Sequence, residues 1–325
     1  MKTVLFLDLL AEKVVLGDPA AVARAISLVE DRRAAASQKT VELLVALGAA
    51  SRREHCQRIG ITGPPGAGKS SLVSALARLV RASGRSIGVL AVDPSSPRSG
   101  GALLADRARI EIDPDHAKMF VRSMASGGDL GGLARAAGAA VDVLSAAFDV
   151  VLVETTGVGQ SETDVEHVAD SVVLVIQPAS GDMLQFLKAG ILEIPDVFVV
   201  NKADLGEVAT RASAELRAAL STGGATAPDQ WVPPVVSTSV ATGRGLGDLL
   251  EATDGHFRYL RERSLLAEHR REAAAAWALQ LYMRRYGEIS VERAGGPAPL
   301  LARFREWIES GATAVEAVAR AGANT

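Results

Sequence analysis

The sequence predicts an α/β fold: a mainly parallel central sheet flanked by helices, with helical segments before and after it. Three observations carry this expectation. Seven short β-branched runs alternate with helical patterns between residues 57 and 250. The runs are apolar almost throughout, as strands buried on both faces are. Apolar residues also recur at helical spacing on either side, from the start to about 50 and again from about 246 to 286.

Residues 1–56 read as a helical segment. PAAVARAISLVE and VELLVALGAA both carry helical spacing, separated by Glu30, Asp31, Arg32 and Arg33. Pro19 after Asp18 fits a helix start. The opening MKTVLFLDLLAEK has a signal-peptide flavour, but Asp8 interrupts its apolar run and no small-x-small site follows. An amphipathic first helix is the expectation.

Residues 57–255 read as the sheet domain. Its strands are expected at RIGIT (58–62), IGVLAVD (87–93), MFVRS (119–123), VVLVE (150–154), VVLVIQ (172–177), VFVVN (197–201) and PVVSTS (234–239). The third is short and reads as an edge strand. SLVSALARLVRA, GGLARAAGAAVDVLSAA and ATRASAELRAAL supply helices between them. Residues 256–325 read as a C-terminal helical arm. Gly255 is a candidate break in the long pattern after 246, Gly287 and AGGPAP (294–299) are further breaks, and LLARFREWIES is the last helix.

The strongest chemical signal is GITGPPGAGKSS at 60–71. A strand runs into Gly63-x-x-x-x-Gly68-Lys69-Ser70 and a helix follows, which is a phosphate loop in its required context. Glycines let several N–H groups point at phosphate oxygens, and the helix N-terminus adds partial positive charge. Lys69 would neutralise the β- and γ-phosphates, and the Ser70 hydroxyl would ligate Mg²⁺. The sheet is thus expected to be that of a P-loop NTPase.

NKAD at 201–204 directly follows a strand. Asp204 can accept from both N1–H and the 2-amino group of guanine. Adenine offers neither donor, and a buried acceptor left unpaired is costly. Asn201 would brace the loop and the Lys202 stem would cover the base, so the nucleotide is GTP or GDP. SVAT at 239–242 fits a loop whose backbone N–H groups meet guanine O6, through Ser239, Val240 and Ala241, with Val240 at a position where Ala is usual.

VLVETTGVGQSE at 151–162 ends a buried strand in Glu154, which should reach the Mg²⁺ shell through water. The Gly157 amide could bind the γ-phosphate and release it on hydrolysis, making 155–166 a switch. Asp93, ending its strand, and Asp106, in GALLADRARI, could each complete a metal site; Asp93 also suits a turn, and Asp106 could pair with Arg107 or Arg109.

GPPGAGKS, AVDPSSPRSGG, LGGLA (130–134), ETTGVGQSE and GDMLQFLKAGILEIPDVFVVNKAD (181–204) together resemble the MeaB/ArgK GTPases. That family comprises chaperones of adenosylcobalamin-dependent methylmalonyl-CoA mutase. The resemblance implies a P-loop domain between an N-terminal helical segment and a C-terminal dimerisation arm, hence a homodimer. It implies nucleotide contacts from Gly63, Pro64, Pro65, Gly66, Ala67, Gly68, Lys69, Ser70 and Ser71, and places Asp93, Asp106 and Glu154 near Mg²⁺. It also implies a third switch at about 177–188, with Lys188 moved toward the nucleotide by the mutase. Val158 follows Gly157 where signalling GTPases carry a water-orienting Gln, so hydrolysis should be slow alone and partner-stimulated.

Composition narrows the alternatives. Net charge is −3 and aromatics are 4%, which argues against nucleic acid as a partner. One cysteine, Cys56, allows no disulfide within the chain, and with five dispersed histidines it argues against a nickel-delivery GTPase. A kinase of an amino-acid transport binding protein is the other alternative, with no acceptor feature to support it. No uncharged apolar stretch reaches about 18 residues, so no membrane span and a cytoplasmic location are expected.

Overall fold

The computed structural model describes residues 2–50, 55–93, 118–125, 133–156, 160–178, 193–221 and 229–323. Three helices come first: α1 (Lys2–Val15), α2 (Pro19–Glu30) and α3 (Ala34–Ala50). Asp18 caps α2, its carboxylate accepting from Ala21 N at 2.7 Å, with Pro19 pre-set for the first turn.

The sheet follows. It comprises β1 (Gln57–Thr62), β2 (Ile87–Asp93), β3 (Met119–Ala125), β4 (Val150–Glu154), β5 (Ser171–Ile176), β6 (Val197–Val200) and β7 (Val235–Ser237). Their order is β3-β2-β4-β1-β5-β6-β7, every neighbouring pair is parallel, and β3 is an edge strand. Central strands β2, β4 and β5 are buried at every position, which explains why their sequences are apolar without alternation.

Helices cover both faces. On one, α4 (Lys69–Ala82) and α7 (Leu246–Glu262) bury Leu72, Leu76, Val80 and Leu249 against alternate strand residues such as Ile59, Val89 and Leu152. On the other, α1, α2, α3 and α5 (Ala137–Ala147) share one core with Leu90, Val151 and Val153. The N-terminal helices are therefore part of the main core. Farther along this face, α6 (Glu207–Ser221) packs Ala212 and Leu216 on Phe198 and Val200.

After α7 come α8 (Leu266–Tyr286), α9 (Glu288–Arg293), α10 (Pro297–Glu309) and α11 (Ala314–Gly322). They enclose a smaller core of Tyr282, Leu300, Phe304 and Val318. One flank of α8 lies on the 3₁₀ segment Gln160–His167, and its Trp277 joins the main core.

Three expectations change. Gly255 does not divide the helical pattern: α7 runs through it to Glu262, and the break falls at 263–265, where Ser264 takes φ 58°. The glycine costs about 1 kcal/mol in a helix, but Leu249, Thr253, His256, Phe257 and Leu260 are all buried and hold the helix on. The helix expected over GGLARAAGAAVDVLSAA begins only at Ala137, after a turn closed by Ala137 N to Ala134 O. The expected last helix, over LLARFREWIES, is followed by α11, started by Thr313 Oγ1 accepting from Glu316 N at 3.2 Å.

A buried ion pair fastens α8 to the base of the sheet. Arg270 donates to both oxygens of Asp170 at 2.7 Å and to Cys56 O at 2.6 Å. Asp170 also accepts from Arg58 N at 2.8 Å, and its side chain is 0% exposed. Removing one partner of such a pair leaves an uncompensated charge, at a cost of about 3–5 kcal/mol. Arg270→Ala is expected to lower the melting temperature by roughly 6 °C or more, read by calorimetry; an unchanged value would show that the pair holds nothing.

Candidate functional site

The site lies at the C-terminal ends of β1, β2, β4, β5 and β6, where open α/β sheets offer a crevice to ligands. The loop after β1, residues 63–68, curls over this edge and hands the chain to α4. Gly68 adopts φ +90°, and a Cβ there would stand 2.5 Å from Asn201 Nδ2, so only glycine lets the loop approach that side chain.

Lys69 opens α4 and is 7% exposed. Its Nζ donates to Gly63 O at 2.7 Å and Pro64 O at 3.1 Å, inside the concavity of the loop. Gly63 and Ala67 are buried, Pro64 is buried, and Pro65 and Gly66 face outward. Next to Lys69, Ser70 Oγ donates to Glu154 Oε1 at 2.6 Å, and Ser71 is exposed. Glu154, 4% exposed, ends β4; Asp93, 1% exposed, ends the adjacent β2. These donors are all hard oxygens. A hydroxyl and two carboxylates drawn from three neighbouring elements fit Mg²⁺, which takes few protein ligands and keeps waters.

The purine side is built from β6 and β7. Asn201 Nδ2 donates to Ala67 O at 2.8 Å, and its Oδ1 accepts from Thr238 Oγ1 at 3.1 Å. One buried amide thus joins the phosphate loop to the loop after β7. Lys202 sits at φ 58°, and its Nζ bridges Gly66 O and Gln177 Oε1, each at 2.8 Å. Asp204 is exposed, and its Oδ1 accepts from the buried Ser239 Oγ at 2.5 Å. That hydrogen bond holds its carboxyl below the usual carboxylate range. Val240 and Ala241 follow Ser239 at the turn.

The structure therefore brings Lys69, Ser70, Asp93 and Glu154 to one corner and Asn201, Lys202, Asp204 and Ser239 to another, with residues 63–68 between them. Asp106, Gly157 and Lys188 lie outside the described residues. Sequence reasoning did not single out Gln177, Thr238 or the Thr155–Thr62 hydroxyl pair at 3.1 Å. Their only signal was a polar residue at the end of an apolar strand.

A profile of the family described as methylmalonyl-CoA mutase-associated GTPase MeaB matches residues 22–292. A protein of Pyrococcus horikoshii named as a GTPase is 44% identical over 267 residues, 82% of each chain. The mouse protein named methylmalonic aciduria type A homolog, mitochondrial, is 36% identical over 257 residues, 75% of this chain and 61% of its own. The crystal structure of a protein titled LAO/AO transport system kinase superposes with a TM-score of 0.67 at 26% identity, covering 93% of this chain and 97% of that one. With its parallel P-loop sheet and its guanine-type NKAD loop, the chain is a GTPase that belongs to the MeaB family.

Proposed function

We propose that this GTPase gates the loading and protection of adenosylcobalamin in methylmalonyl-CoA mutase or a related acyl-CoA mutase. The observation that carries the reading is the family match over residues 22–292, supported by the mouse relative whose name refers to methylmalonic aciduria.

In this reading the backbone of Gly63 through Ser71 cradles the phosphates and Lys69 neutralises the β- and γ-phosphate oxygens. Ser70, Asp93, Asp106 and Glu154 would hold Mg²⁺, which supplies further charge neutralisation there when bound. Asp204 accepts from the guanine edge, Asn201 and Lys202 keep the phosphate loop and purine loop in register, and Ser239, Val240 and Ala241 present backbone N–H groups to O6. Gly157 reports the γ-phosphate through its amide. Val158 and not a glutamine directly follows it, so hydrolysis waits for an added cation, Lys188, delivered when the mutase docks. The partner acts as the activating protein, and the nucleotide decides which switch conformation the mutase meets. The working form is a symmetric homodimer through the C-terminal helices, in the cytoplasm. Among the described residues no helix is long and apolar enough to cross a membrane.

The test is GTP turnover with and without methylmalonyl-CoA mutase, for wild type and Lys188→Ala. Stimulation of tenfold or more, about 1.4 kcal/mol of barrier, is expected for wild type and is lost in the variant. No stimulation by any acyl-CoA mutase would overturn the partner assignment. The structural relative titled as a kinase raises a second reading, transfer of the γ-phosphate to a protein. With γ-labelled GTP, all label is expected as free phosphate; label on a transport binding protein would favour the kinase.

A further inference from the structure

A second cavity, of about 610 Å³, lies beside the edge strand β3, whose Ala125 is paired in register with Asp93 at the end of β2. It is walled by the C-terminal end of α2, by α3, by the end of β3, by the first turn of α5, and by α8 and α11. Val29, Met124 and Ala139 are buried in its wall, Val315 and Val318 of α11 also line it, and Ser37 and Thr40 add hydroxyls. Its rim is basic. Arg32 and Arg285 stand exposed around it. Among the described residues, the acids on the rim are both engaged: Glu30 with Arg122, and Asp31 with Arg33 at 2.5 Å. The described rim therefore keeps the positive charge of Arg32 and Arg285.

Size and chemistry define the ligand class. Small-molecule sites run from about 300 to 1,000 Å³, mostly apolar with a few placed polar groups. An apolar floor under an arginine rim suits an organic anion, with a ring or acyl body inside and a phosphate or carboxylate at the mouth.

The cavity wall also continues into the switch region. Leu281 and Arg285 of α8 face the cavity, and Arg284 between them turns the other way. Arg284 donates to Asp164 Oδ2 at 2.6 Å, inside the 3₁₀ segment that follows the ETTGVG loop, and to Leu133 O at 3.4 Å. Leu133 directly precedes the cavity residues Ala134 and Arg135. That 3₁₀ segment in turn rests on β1, where Val165 occupies the space a side chain at Gly60 would take. A ligand that draws α8 toward α5 therefore acts on the residues either side of the Arg284–Asp164 contact. From there the path to the phosphate loop is one strand.

We infer that this cavity is an effector site for a small organic anion, coupled to the nucleotide site through Arg284 and Asp164. The inference stands apart from the identity of any mutase. The probe is 1-naphthyl phosphate, titrated into GDP-saturated protein so that the phosphate loop is filled. Saturable binding is expected, at least tenfold tighter than for 1-naphthol or inorganic phosphate. Arg32→Glu and Arg285→Glu, both at exposed positions, are each expected to weaken it tenfold or more. Saturating probe is also expected to change the release rate of a fluorescent GDP at least threefold in wild type. Arg284→Ala is expected to abolish that change while keeping the binding, and Arg284→Gln, which carries no charge to pair with Asp164, serves if the alanine variant does not fold. Absence of saturable binding, or binding indifferent to both charge reversals, would overturn the site. Binding without any change in GDP release would overturn its effector role.

Discussion

Lys69→Ala is expected to cut kcat/KM for GTP by roughly 10²–10³-fold or more, the cost of losing one preorganised donor at a developing charge. The side chain is 7% exposed, so its ammonium acts in a water-poor corner where a charge is worth far more than at the surface. It also lies where substrate must pass, hydrogen-bonded to the Gly63 and Pro64 carbonyls that line the loop. The loop does not depend on it for shape. Asn201 still holds Ala67 O and Lys202 still holds Gly66 O, each at 2.8 Å. The variant should therefore fold with the wild-type circular dichroism spectrum. It should lose affinity for GTP more than for GDP, because the β- and γ-oxygens together gather the charge that Lys69 meets. Phosphate release assays and a fluorescent-nucleotide titration separate the two effects. Turnover within threefold of wild type would remove Lys69 from the mechanism.

The features legible in the sequence were those set by neighbours along the chain. The phosphate loop, the strand ends at Asp93 and Glu154, and the NKAD turn each need a fixed local conformation, so their letters sit in short windows. β2 and β4 coincide with their apolar runs because full burial leaves no polar position to blur the ends. What escaped was set by distance or by competition. Arg270 and Asp170 are 100 residues apart, and Arg284 and Asp164 are 120 apart; no local pattern links them. α11 carried a readable signal, Thr313 followed three residues later by Glu316 and Ala314, Ala317, Val318 and Ala321 at helical spacing, but its nine residues give only about two and a half turns of that pattern. Gly255 misled because a local preference of about 1 kcal/mol was outweighed by six buried side chains on the same helix. The effector cavity draws its walls from six elements, and no motif could announce it.

Asp204→Asn tests the purine assignment and is expected to have the second large effect. In the proposed reading, two hydrogen bonds from guanine, at N1–H and the 2-amino group, would converge on this carboxylate. Bonds to a charged partner contribute about 1.5–3 kcal/mol each; the variant loses the one from the 2-amino group and the charge from the other, so GDP binding should weaken by about 2–4 kcal/mol, or roughly 30- to 10³-fold. The amide can still accept from N1–H, but its NH₂ now faces the guanine 2-amino group, donor against donor. Xanthine replaces that amino group with an oxygen and keeps N1–H, so the variant should prefer XDP over GDP by at least tenfold. Ser239 Oγ, which reaches Oδ1 at 2.5 Å in the wild type, holds the new amide in one orientation and keeps this inversion clean. The same contact keeps the wild-type carboxyl below its ordinary range, so GDP affinity should stay flat as pH falls from 8 toward 5. Calorimetric titration of both diphosphates into both proteins decides the matter. If the variant binds GDP as tightly as wild type, the purine is read elsewhere; if it loses GDP without gaining XDP, Asp204 serves the loop and not the base.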